Sequence, residues 1–132
     1  MNPFIGTWIA NIEKSRRDPN HQFQSATLTF EVTGDNMSMT HTGVNMSGKY
    51  ESGTTVYKPD GQEHAVSQAP GVVAVTTWIG THVLESEAKK GGRLLGKGTY
   101  AVSGDGRTLT ATVAGTDAAG AAFEQVIVFD RE

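Results

Sequence analysis

The chain has 132 residues, enough for one domain spanning 1–132 around a single core. Its net charge of −3, with no basic stripe, argues against a nucleic-acid-binding surface. Cysteine is absent, which excludes disulfides, thiolate catalysis and Cys-ligated metal, and no run approaches the roughly 18 apolar residues of a membrane span.

Sixteen glycines against four prolines predict many tight turns between regular elements. No segment of a dozen residues keeps a helical period, whereas alternation with a period of two recurs. The first strand is predicted over 5–13 and carries Gly6-Thr7-Trp8. A longer connection, Lys14 to Gln24, contains Pro19. The second strand, 25–33, alternates Ala26, Leu28, Phe30 and Val32 with polar residues, as in a half-buried antiparallel strand. Gly34-Asp35-Asn36 is a hairpin signal leading into 36–43, and Asn45 to Gly48 turns the chain into 48–57. Pro59-Asp60-Gly61 precedes 62–67, Ala69-Pro70-Gly71 precedes 72–79, and Gly80-Thr81 precedes 82–89. Lys90-Gly91-Gly92, Gly104-Asp105-Gly106 and Ala118-Ala119-Gly120 then introduce 93–103, 107–115 and 122–130.

Ten short-linked strands pair with their neighbours in sequence. With one apolar face, such a sheet hides its edges by curling up. The expected fold is therefore all-β: an antiparallel up-and-down β-barrel of about ten (eight to ten) strands. A Greek-key sandwich would need long crossovers, and only 14–24 is long enough.

The opening Phe4-Ile5-Gly6-Thr7-Trp8, the hairpin-linked strands and the closing Val128-Phe129-Asp130-Arg131 resemble the calycin superfamily, the lipocalins and fatty-acid-binding proteins. Phe4-x-Gly6-Thr7-Trp8 with Asn11, Lys14 and Ser15, and later Val102 to Thr110, is similar to a group of short bacterial lipocalin-like proteins of unassigned function. The resemblance implies that Arg131 packs over Trp8 at the closed end. It also implies two departures from the fatty-acid-binding pattern. Ile127 and Phe129 stand where that family places an Arg and a Tyr that grip a carboxylate, and the connection after the first strand is too short for a two-helix lid.

Parity places several side chains on the apolar face: Phe30, Met37, Met39, His41, Tyr50, Trp78, His82, Tyr100, Gln125 and Ile127. These are the expected ligand-binding residues of an apolar interior with a few polar groups. His41, His64 and His82 share that parity but lie on separate strands without metal-ligand spacing, so no metal, cofactor or catalytic residue is assigned. Glu85 and Glu87 fall on the opposite face, and Asp105 between two glycines is turn chemistry. The expected function is binding of a small, apolar, uncharged molecule inside the barrel. The alternatives are an isomerase, cyclase or hydratase with His41 or His82 as acid–base, and a filled barrel acting through its surface. The first residues form no signal peptide, so a cytoplasmic chain is expected, with a mature product of a removed leader as the alternative. Oligomeric state is left open.

Overall fold

The structure, a computed structural model, describes residues 3–17, 22–66, 69–116 and 120–132. Asn2, Asp18, Pro19, the Ser67 end of the fifth predicted strand and the Ala118-Ala119 part of the last turn lie outside the described residues.

Ten strands follow one another: β1 (Gly6–Arg16), β2 (Phe23–Thr33), β3 (Asn36–Asn45), β4 (Tyr50–Tyr57), β5 (Glu63–Ala65), β6 (Val72–Trp78), β7 (Val83–Lys90), β8 (Arg93–Val102), β9 (Thr108–Thr116) and β10 (Ala122–Arg131). They form one antiparallel sheet in the order β4-β3-β2-β1-β10-β9-β8-β7-β6-β5. The sheet curls into a barrel, and β1 pairs with both β2 and β10. Its two edges, β4 and β5, are not hydrogen-bonded to each other. Only 17–22 separates β1 from β2, too short for two helices, and no helix occurs among the described residues. Among the described residues, no helix is long and apolar enough to cross a membrane.

The closed end is built around Trp8. Its indole is fully buried and donates to the Phe4 carbonyl at 3.0 Å. The Arg131 guanidinium carbon lies 4.1 Å from the indole centroid, a cation–π contact. Arg131 also donates to the backbone carbonyls of Gly106 at 2.7 Å, Ile5 at 2.9 Å and Pro3. The glycine of Gly-x-Trp serves this side chain. Gly6 has φ of 130°, and a Cβ there would stand 2.6 Å from Arg131 Nη1. The close approach at Gly6 is made by the Arg131 side chain.

Asn11, Lys14 and Ser15 have a structural role too. Between the pairs Asn11↔Val128 and Arg16↔Val126, β1 advances further than β10, so the extra residues bulge out. Ser15 Oγ closes the interrupted ladder by accepting the Val128 N–H at 2.9 Å and donating to the Asn11 carbonyl at 2.7 Å. Asn11 Nδ2 donates to Asp130 at 3.0 Å.

The core fills the closed half. Phe4, Trp8, Phe30, Met37, Leu84 and Leu109 are its largest fully buried side chains. Edge-to-face ring contacts run from Trp78 to Phe4 at 5.4 Å, from Phe4 to Phe30 at 5.5 Å and from Phe30 to Tyr100 at 6.2 Å. This aromatic chain leads from the floor to the interior above it.

Candidate functional site

Cross-strand register sets the shape of the interior. Trp78, Leu84, Tyr100, Ala111 and Ile127 are successive neighbours on β6 to β10 and form the upper layer of the packed floor. The next inward rung is Thr76, Ser86, Gly98, Val113 and Gln125, and the one above it is Ala74, Ala88, Gly96, Gly115 and Phe123. Side-chain volume drops sharply across one step. A concavity of 360 Å³ results, walled by Ala74, Ser86, Ala88, Gly98, Val113 and Phe123, with Tyr57 and Tyr100 beside them.

The edge gap gives access from the side. A cleft of 540 Å³ lies between β4 and the β5–β6 hairpin, and it shares Thr55, Tyr57, Val66 and Ala74 with the concavity. A third space of 810 Å³ continues toward the closed end, past Lys58, Asp60, His64, Met37 and Trp78. Lys58 and His64 line both of the outer spaces.

Polar groups inside are few. Tyr57 on β4 and Tyr100 on β8 both line the concavity, close enough for each phenol to influence the other. Burial, above all, pushes both phenols above their ordinary value; the contact with Tyr100 adds to this at Tyr57. Thr76 and Ser86 hydroxyls bond each other at 3.1 Å. Glu87 and Lys97 border the concavity but stand opposite one another at outward parity, and Lys97 pairs with Glu85 at 3.4 Å. Near the closed end, His64 Nε2 lies 2.9 Å from the Asp60 carboxylate. The Gln62 N–H first, and His64 second, hold the Asp60 carboxyl below its ordinary value.

The residues expected at the site fall into four groups. Tyr100 lines the concavity, and Gln125 occupies its first open rung. Met37 and Trp78 line the space toward the closed end. Phe30, Met39 and Ile127 are buried in the packed floor. The rest lie away from these spaces, with two corrections. Tyr50 points outward, because it pairs with Val44 on the outer face, and it is 64% exposed. His82 is exposed in the turn before β7, at the closed end, where Nδ1 meets the Thr81 hydroxyl at 2.7 Å. His41 keeps inward parity opposite Leu28, but it is exposed and lies over Gly53, where a Cβ would be 2.7 Å from Cε1.

The three histidines therefore do not converge on one point. Among the described residues, no group of three His, Asp or Glu could hold a metal. The expected ligand-binding residues did not include Tyr57, Ala74, Ala88, Gly98 or Phe123. Counting outward from the Asn45–Lys49 turn would have placed Tyr57 opposite Met37, on the inner face.

No family model matches the chain, and no curated protein matches it either. Solved structures do resemble it. The fluorescent protein UnaG superposes with a TM-score of 0.68 at 18% identity, over 98% of this chain and 97% of that one. Zebrafish ileal bile acid-binding protein complexed with cholic acid gives 0.59 at 13% identity, over 98% and 99%. Rv2717c from M. tuberculosis gives 0.57 at 15% identity, over 98% and 93%. The chain shares its barrel fold with these structures, as the resemblance carried by Gly6-Thr7-Trp8 and Arg131 implied.

Proposed function

We propose that this chain binds a small, largely apolar and uncharged molecule inside the barrel, without chemistry, and that the molecule enters along the β4–β5 gap. The observation that carries this reading is the pair of rungs with small side chains above the packed floor. They leave 360 Å³ beside two phenols, within the range of small-molecule pockets. Neither rung holds a charged side chain. Ile127 and Phe129 are buried where the fatty-acid-binding resemblance would need an anion clamp. The zebrafish protein, complexed with cholic acid, supports ligand binding as a use of this architecture. Apolar burial would supply the affinity, about 25 cal/mol per Å² before the costs of association.

The test uses Nile red, an uncharged dye whose emission shifts to the blue in apolar surroundings. Wild-type protein is expected to bind it with saturation. Ala88→Phe places a ring in the upper rung and is expected to weaken binding about tenfold or more, with the urea midpoint little changed. Binding that ignores Ala88→Phe, or an emission that stays aqueous, would overturn the reading.

A further inference from the structure

We infer that the ligand is an uncharged amphiphile, with an alkyl chain in the concavity and a hydroxylated, sugar-like head group in the groove at the closed end. The inference rests on the reading of the concavity as a ligand site and names the class of molecule that it takes.

The three spaces form one path. The concavity and the side cleft share Thr55, Tyr57, Val66 and Ala74. The cleft and the closed-end groove share Lys58 and His64. No ladder of backbone hydrogen bonds crosses this path, because β4 and β5 are not paired. From Thr55 to Lys58 the chain advances about 10 Å at the usual strand rise. An extended octyl chain covers that distance.

The chemistry changes along the path. At the inner end, neither open rung holds a charged side chain. At the outer end, the groove of 810 Å³ has Val32, Pro59 and Trp78 on one side and a polar rim on the other. The rim carries Asp35, Asn36 and Lys58 beside the Asp60–His64 pair. His64 Nε2 lies 2.9 Å from both Asp60 carboxylate oxygens, and Asp60 also accepts the Gln62 N–H at 2.9 Å. These bonds tie β5 to the connection from β4, so that side of the groove is held in shape.

Charge narrows the head group. Both signs stand on one rim. An anionic head would meet Lys58 but also Asp35 and Asp60. A cationic head would meet the two carboxylates but also Lys58. A hydroxyl both donates and accepts, so a hydroxylated head can give to Asp35 and receive from Lys58 or the Asn36 amide. The apolar side of the groove takes the C–H face of such a head, with the few polar groups fixing its orientation.

Octyl glucoside, octanoate and octyltrimethylammonium share one chain and differ in the head. The test is displacement of Nile red by each, below micelle formation. The glucoside is expected to bind about fivefold tighter than either charged compound, the worth of one net hydrogen bond. Glucose alone should displace nothing, because it lacks the chain. Lys58→Ala and Asp35→Ala should each weaken the glucoside about threefold to fivefold and leave 1-octanol and Nile red unchanged. In nuclear Overhauser spectra, the sugar protons should lie near Val32 and Trp78, and the terminal methyl of the chain near Ala74 or Ala88. If either charged compound matches the glucoside, if both variants bind it as wild type does, or if its sugar protons lie near Ala88, the inference falls and the ligand site stands. If the glucoside fails to displace bound Nile red, the inference falls in the same way. If Nile red itself does not bind, the ligand site falls and the inference with it.

Discussion

Gly6→Ala tests how the closed end is held. Gly6 sits at φ 130°, where a Cβ costs about 1–3 kcal/mol in backbone strain alone. The new methyl would also stand 2.6 Å from Arg131 Nη1, so the guanidinium must leave. It would then lose its bonds to Ile5, Gly106 and Pro3 and its place over Trp8. Arg131 is solvent-exposed and can rehydrate, so these contacts together are discounted to about 2 kcal/mol. Taking about 2 kcal/mol for the backbone, Gly6→Ala should cost about 4 kcal/mol and Arg131→Ala about 2 kcal/mol. The double variant should cost about 4 rather than about 6 kcal/mol, because the Arg131 contacts can be lost only once. For a chain of this length, 4 kcal/mol corresponds to a Tm lower by roughly 14 °C. Urea unfolding of the four proteins measures the cycle. Additive costs, to within about 0.5 kcal/mol, would refute the idea that Gly6 exists to admit Arg131.

Three more outcomes are expected. Tyr57 and Tyr100 are raised above the ordinary phenol value of 10.0, so their contribution to stability is full below that pH and declines above it, as the unfolded chain ionises first. Phenolate absorbance should show both ionising only on alkaline unfolding, and a reversible titration of either one near its ordinary value in the folded protein would count against the buried pair. Ser15→Ala should cost about 1–2 kcal/mol in urea unfolding, because it leaves the Val128 N–H without its acceptor, and Val128 should be the amide whose hydrogen exchange quickens most. Asp60 is held below its ordinary value, so its contribution is present above the unfolded pKa and is lost as pH falls through the lower, folded one. Asp60→Asn should remove that acidic step from the pH dependence of unfolding and leave neutral-pH Nile red binding unchanged.

The strands were legible because turn residues punctuate them. Gly-Asp, Asn-to-Gly and Gly-Gly signals placed the ten strands within a few residues of their observed bounds. The faces were legible only where one side of a strand is apolar. Ala26, Leu28 and Phe30 on β2 left no choice. On β4, the run Tyr50-Glu51-Ser52-Gly53-Thr54-Thr55-Val56-Tyr57 has no apolar stripe, so either tyrosine could have faced inward from pattern alone. Register decides for Tyr57, which pairs with Met37. His82 was misplaced for a different reason. The strand begins one residue later, at Val83, so alternation does not reach His82. The separation of β4 from β5 left no sequence signal either, because it reflects a pairing that is missing between two edges.

The concavity was the least legible feature, although its residues are plain in the sequence. Alanines on strands are consistent with an opened interior or with closer packing, and register separates the two. Ala101 faces outward opposite Val83, and Ala111 lies in the packed floor opposite Tyr100. Ala74 and Ala88 instead align with Gly96 and Gly115 in one rung across four strands. In a helical bundle such small residues would draw the elements together. In a curled sheet the spacing of neighbouring strands is fixed near 4.8 Å by their hydrogen bonds, and the width follows from strand number and tilt. The walls cannot follow the lost volume inward. Small residues on one rung therefore create space, and Gly98 beneath them uses that space to seat the Tyr100 hydroxyl.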